Sequence, residues 1–377
     1  MKKTLLAAAL AVGFVGAAQA ETSVTLYGII DTGVGYQRVK DSDGNKATKT
    51  GIYDGTSHGQ AGSRWGLKGT EDLGNGLRAE FMLESGINVT TGHHQQGDRL
   101  FGRQAWLGLA GDSWGALRFG RQHNVGTDFM LGMVDPFGGG FGLAHAGAAF
   151  SAIDTNRMDN TIKYVTPNFS GFQAGVAYSF NHGGDQDWKY SGSSNSNDRA
   201  VSAGLRYANG PIGVALTYDQ MKNSILGGYQ GKAVKQWNIG GAYDFEVVKV
   251  SAAFGQNRDG IYNSSTLWSD SLMLSNPISN YDKGFRSNSY MVGLSAPVGG
   301  GTVMASWAMM DPRTKSDWLK DNNPNQDLKK EHTFALGYKY PLSKRTDVYA
   351  YAAQKNNVHF VDKQKATSVA AGLTHRF

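Results

Sequence analysis

Apolar and polar positions alternate with a period of two along almost the whole chain beyond its first twenty residues. In GFQAGVAYSF, Phe172, Ala174, Val176, Tyr178 and Phe180 share one face, and Gln173, Gly175, Ala177 and Ser179 share the other. In KQWNIGGAYDF, Trp237, Ile239, Gly241, Tyr243 and Phe245 alternate with Asn238, Gly240, Ala242 and Asp244. In GLRAEFMLES, Leu77, Ala79, Phe81 and Leu83 alternate with Arg78, Glu80, Met82 and Glu84. This period predicts strands with one oily and one wet face. A soluble sandwich would show the same alternation, so the choice between architectures falls to the connections.

Short turns and long polar connections alternate along the chain. The short ones are Thr70 to Gly76, Gly111 to Gly115, Pro167 to Gly171, Asn209 to Pro211, the bend at Phe245 and Glu246, Pro297 to Gly301, and Pro341 to Arg345. The long ones centre near Lys46, Gly92, Phe141, Ser191, Ser224, Thr266, Asn322 and Val361. Seven hairpins and the segments beginning at Thr22 and Lys365 give sixteen strands. An even count with tight turns on one side and long loops on the other predicts an all-β, 16-stranded antiparallel transmembrane β-barrel, and sixteen strands leave an aqueous lumen. Strands satisfy every backbone polar group in lipid only as a closed cylinder, so the segment at Val24 is expected to pair with that at Val369.

The first twenty residues read as an export signal: Lys2 and Lys3 precede an apolar run from Leu5 to Val15, and Ala18 to Ala20 supply the cleavage pattern. Residues 21–377 then form the barrel. Without the signal's two lysines the chain carries 35 Lys and Arg against 31 Asp and Glu, a net charge of +4. The basic residues form no run, which excludes a nucleic-acid protein. There are no cysteines, and 51 glycines accompany 17 tyrosines, 17 phenylalanines and 8 tryptophans, as turn-rich aromatic strands require.

Several stretches together resemble the trimeric general diffusion porins of the Gram-negative outer membrane, especially the beta-proteobacterial group. They are SVTLYGIIDTGVGY (Ser23 to Tyr36), SRWGLKGTEDLGNGLRAEFMLE (Ser63 to Glu84), FGRQAWLGLAGDSWGALRFGRQ (Phe101 to Gln122), DPFGGG (Asp135 to Gly140), NTIKYVTPNFSGF (Asn160 to Phe172) and the terminal Phe377. The resemblance implies a homotrimer with the third outer loop folded inward to narrow the pore. It implies also that Phe377 is an assembly signal read by the barrel-assembly machinery. Outer-membrane lipid and lipopolysaccharide, small hydrophilic solutes and anions are the expected partners.

The connection from Gln122 to Asp159 runs 38 residues, well beyond the roughly 12 to 15 of an unstructured loop in a compact protein. Its apolar content, Phe129, Met130, Leu131, Met133, Val134, Phe137, Phe141, Leu143 and Phe150, needs burial. Packed inside a barrel, it would use Pro136, Phe137, Gly138, Gly139 and Gly140 as the constriction loop, the glycines permitting close backbone approach. A phosphate loop is rejected because no lysine follows Gly142, and a flexible linker would be polar throughout.

The alternation in SRWGLKG points Arg64 and Lys68 into the lumen, and Arg78 joins them by the same argument. The resemblance implies lumen arginines at Arg64, Arg103 and Arg157. Arg118 and Arg121 lie on opposite faces of a regular strand, so one of them points inward. Asp135 and Asp154 are the expected acidic partners on the loop. Phe137 stands where family members often have a glutamate, and Ile29 where the enterobacterial branch has a lysine; the loss of the glutamate tilts the pore further toward anions. The expectation is passive diffusion with modest, salt-screened anion preference. The alternative is a substrate-selective channel for small organic anions.

No metal site, cofactor or catalysis is expected. His93 and His94 are adjacent in a loop and make a poor chelate, HExxH is absent, and His123 and His145 have no third group of suitable type beside them. Outer loops such as 183–199 could bind other surfaces incidentally.

Overall fold

The computed structural model describes residues 23–154, 156–188, 197–222, 233–262 and 274–377. The expected export signal lies outside them, as do the loop centres near Ser191, Ser224 and Thr266.

The alternating segments form seventeen strands: β1 (Ser23–Lys40), β2 (Lys46–Asp54), β3 (Arg64–Gly74), β4 (Leu77–Gly86), β5 (Gln104–Gly111), β6 (Gly115–His123), β7 (Arg157–Val165), β8 (Phe172–Ser179), β9 (Arg199–Asn209), β10 (Ile212–Lys222), β11 (Ala233–Asp244), β12 (Lys249–Arg258), β13 (Arg286–Val298), β14 (Gly301–Thr314), β15 (Glu331–Pro341), β16 (Thr346–Asn356) and β17 (Lys365–Arg376). Beyond β3 each pairs antiparallel with the next, and β17 returns to β1 with Tyr36 opposite Val369. The cylinder has no free edge.

Seventeen strands occupy sixteen places in the wall. The first half of β1 pairs with β3, Ile29 opposite Arg64, and the second half with β2, Thr32 opposite Asp54. β2 and β3 are therefore two pieces of one spanning strand, interrupted where residues 55–63 leave the sheet. Sequence alternation gave the sixteen places and passed over the interruption.

All seven short turns fall between paired strands. In the first, Asn75 and Gly76 both have positive φ, 52° and 74°, the mirror-image turn whose twist matches an antiparallel hairpin. Outward positions are apolar: Leu26 and Leu336 are 60% exposed, and Leu107, Phe172 and Leu205 resemble them. Inward positions are buried or polar, as Ser179, Ser202, Gln236 and Ser368 show. What an isolated cylinder would leave as empty lumen is partly filled by the segment between β6 and β7, whose side chains form the main apolar clusters with inward residues of the wall.

Candidate functional site

The third loop is tied to the inner wall around half its circumference. At its neck, Asn124 N donates to Asn156 O at 3.0 Å, and Asn124 Nδ2 donates to Asp219 on β10 at 2.7 Å. Further along, inward serines meet its backbone: Val125 N donates to Ser202 Oγ, Ser251 Oγ to Val134 O, Ser289 Oγ to Ala149 O, and Ser306 Oγ to Ala144 O. Ala152 N donates to Gln236, and Lys355 Nζ to Ala148 O. The wall beneath has small side chains, so the loop can lie flat on it. A Cβ at Gly240 would stand 2.6 Å from Met130, and one at Gly337 2.9 Å from Phe137. Ala215, Ala253 and Ala308 continue this bed between the glycines.

The stretch at Asp135 to Gly140 turns tightly against that bed. Pro136 packs over Gly293, and Phe137 is buried against Phe141, which makes edge contacts with Tyr349 and Tyr351. Gly138 and Gly139 have φ of 61° and 80°, a region costly for side chains with a Cβ. Gly140 has another reason: its Cβ would lie 2.1 Å from the Gln60 carbonyl oxygen. These are space and dihedral requirements of one fixed conformation.

The two acids expected to face the passage do not. Asp135 is 6% exposed and its carboxylate accepts the backbone N–H groups of Phe137, Gly139 and Ala146 at 2.9, 2.8 and 3.0 Å. Burial pushes this carboxyl above its ordinary value, and the three donors and His145 oppose the push. Asp154 is 3% exposed and lies 3.3 Å from His145. Asp135 shapes the loop as the internal acceptor its turn of backbone N–H groups requires, and Asp154 lies against His145 within the same segment.

The opposite wall, β3 to β7, carries the charge. Arg103 Nε lies 2.8 Å and Arg64 Nε 3.6 Å from the Glu84 carboxylate, which also accepts from Tyr27 at 2.9 Å. Arg99 and Arg121 converge on Asp159 at 2.7 and 2.5 Å. Arg157 stands within electrostatic range of Arg64, Arg103, Arg121 and Glu84. Farther along β6, Arg118 packs 4.5 Å over the Trp106 ring and meets Glu80 at 3.3 Å. Lys68 lies 5.3 Å from the Tyr27 ring.

Arg78 is displaced from the expected ring. It sits one residue into β4 and reaches Asp112 in the β5–β6 turn at 2.6 Å, at the short-turn mouth of the barrel. Arg118 and Arg121 both find carboxylates, Glu80 and Asp159; opposite Arg121 the β6–β7 register slips, with Asp159 and Asn160 of β7 standing against one residue of β6, the two-against-one count of a β-bulge.

Sequence reasoning missed Glu84, Arg99, Asp159, Lys163 and Arg376 as members of the charged set. Lys163 is paired with Asp128 at 2.7 Å, and Arg376 with Asp347 at 2.5 Å. Alternation along β4 and β17 had already put Glu84 and Arg376 on the wet face; partner identity was the absent signal. Ile29 lies between Arg64 and Arg376 in the register, an apolar gap in a row of cations. Phe377 extends the β17–β1 seam: it exchanges two 3.1 Å backbone hydrogen bonds with Gly28, and its ring covers the space where a Gly28 side chain would stand. His123 and His145 each lie beside an aspartate, Asp128 and Asp154. Among the described residues no group of three or more His, Cys, Asp or Glu could hold a metal ion.

An edgeless barrel with an oily outside, a wet charged inner wall and one inward-packed loop defines a β-barrel channel of an outer membrane. A family model described as Gram-negative porin matches residues 6–359, and the chain belongs to that family. An outer membrane porin protein of Bordetella pertussis is 46% identical over all of both chains. Outer membrane porin protein 32 of Delftia acidovorans is 34% identical over 95% of this chain and 90% of its own. Among solved structures, an anion-selective porin from Comamonas acidovorans superposes with a TM-score of 0.71 at 28% identity, covering 95% of this chain and 100% of its own.

Proposed function

We propose that this porin passes small hydrophilic solutes by diffusion with modest preference for anions, and that Arg64, Arg103, Arg121 and Arg157 are the residues that set it. The observation carrying the reading is the charge imbalance in one cluster on the open wall, where five arginines including Arg99 stand about two carboxylates, Glu84 and Asp159. Such a field raises local anion concentration without excluding cations, because salt screens it over about 8 Å at physiological strength. The anion-selective neighbour supports the same sign. Arg118 and Lys68 extend the basic wall beyond the narrow zone, and Arg78 acts at the mouth. Reversal potentials in planar bilayers under a KCl gradient test the proposal: anion selectivity is expected, and a cation-selective sign overturns it.

The same reading assigns residues 1–20 to export, Phe377 to recognition during barrel assembly, and a homotrimer to the working state. It makes no use of a catalytic group. Lipid contact is supported by the outward face, where Lys235, Arg258 and Arg286 stand in one row across β11, β12 and β13. Trp237, Phe254 and Tyr290 form an aromatic row beside them, an arrangement suited to a headgroup boundary such as lipopolysaccharide phosphates offer.

A further inference from the structure

Residues 55–63, the excursion between β2 and β3, touch three things at once. Their base is held by Asp31, a fully buried residue of β1. Asp31 O accepts from Gly55 N at 2.8 Å and from Ser63 Oγ at 3.1 Å, while Asp31 N donates to Ser63 Oγ at 3.1 Å. One carboxylate oxygen accepts from Ala61 N at 2.9 Å and Thr374 Oγ1 at 2.7 Å, the other from Tyr349 OH at 2.5 Å. Gly59 lies so close over this carboxylate that a Cβ would be 2.2 Å from it. One residue therefore fixes both ends of the excursion and ties them to β16 and β17.

The tip of the excursion meets the third loop. Phe141 N donates to Gly59 O at 2.6 Å, and Gly140 is pressed against the Gln60 carbonyl. The third contact is with the basic wall: the space a Gly62 side chain would fill is 2.9 Å from Thr56 Oγ1 and 3.1 Å from Arg103 Nη1. The excursion is thus wedged between the loop's glycine run and a constriction arginine, and its thickness fixes how far apart they stand.

We propose that residues 55–63 are a second constriction element and that Asp31 is the positioning residue that sets the pore's exclusion limit through them. The inference rests on the channel reading above. Charge-assisted hydrogen bonds from three donors hold the carboxylate side chain in one place. Deleting the acceptor takes from Ala61 N–H its partner and leaves Tyr349 and Thr374 only their longer contacts, to Tyr53 OH at 3.2 Å and Gln60 Oε1 at 3.4 Å, which favours release of the excursion toward water. The loop's glycine run then loses its seat.

The test uses the full-length porin reconstituted in planar bilayers, with single-channel conductance and the size limit for graded polyethylene glycols as readouts. Asp31→Ala should change the limit and conductance and add open-channel noise, while Asp31→Asn, which keeps an acceptor oxygen and the shape, should stay close to wild type. Gly140→Val strikes the clasp from the other side without touching the β17–β1 seam, and should shift the limit as well. A folded Asp31→Ala porin with wild-type limit, conductance and noise overturns the proposal. Should Asp31→Ala fail to fold, an unchanged limit in Gly140→Val overturns it alone. Absence of any conductance in the wild-type protein would instead sink the channel reading.

Discussion

The proposed charge filter makes a quantitative demand on Glu84. Glu84→Gln removes one of the two carboxylates set among five arginines, so the passage gains one positive charge while the side chain keeps its shape. An ion passing about 5 Å away feels that unit charge as ~0.8 kcal/mol in a water-like dielectric, a factor of about four in occupancy. Screening at 0.1 M salt, with a Debye length of about 10 Å, reduces this to ~0.5 kcal/mol, a little over twofold. At 1 M, where the length is about 3 Å, under ~0.2 kcal/mol survives. Reversal potentials should therefore show the chloride-to-potassium permeability ratio, in which the gain for the anion and the loss for the cation multiply, rising roughly fivefold at about 0.1 M KCl and less than about twofold at 1 M. Arg103→Gln should lower it by a similar factor. A ratio that falls in Glu84→Gln, or one that shifts equally at both salt concentrations, refutes the reasoning.

Three further predictions concern stability and assembly. Lys355 and Glu331 form a 2.8 Å pair with 1% and 2% of their side chains exposed, so Lys355→Met should cost about 3–5 kcal/mol by stranding a buried carboxylate. The double change Lys355→Met with Glu331→Leu should recover most of that loss, and thermal unfolding in detergent distinguishes the two. Burial, helped by Lys49, holds the His58 imidazole down at about 4; a depressed value means the unfolded chain takes up protons first, so stability present above pH 6.5 drains away as pH falls toward 4. Acid conditions should loosen the excursion and make conductance noisier, and His58→Gln should flatten that pH response. Deleting Phe377 removes two seam hydrogen bonds and the cover over Gly28, and should lower the yield of heat-stable barrel measured by gel mobility; full yield counts against its assembly role.

Much of the fold was legible because period-two alternation and turn chemistry are local. Asn75 and Gly76 announce their hairpin without help from any distant residue. The aromatic outward faces of β8 and β11 were equally plain. The excursion at 55–63 was not, since a break in one strand is visible only when β1 is seen pairing with two partners. The bulge at Asp159 and Asn160, opposite Arg121, is likewise a matter of register, and it stands where Asp159 meets Arg121. Asp135 misled because an acid beside a glycine run can serve either the passage or the turn, and the backbone donors around it settle the matter. Arg78 was on the correct face at the wrong height, which alternation does not encode.

The bed of small residues under the third loop has a consequence for how such a molecule can change. From β8 to β15 the inner wall is committed to close contact, so a bulkier replacement at Gly204, Gly240 or Gly337 disturbs the loop before it can affect a passing solute. β3 to β5 carry no such obligation to the loop. Permeability can accordingly be reshaped there, one lumen side chain at a time, while the remaining half of the tube serves as unaltered foundation.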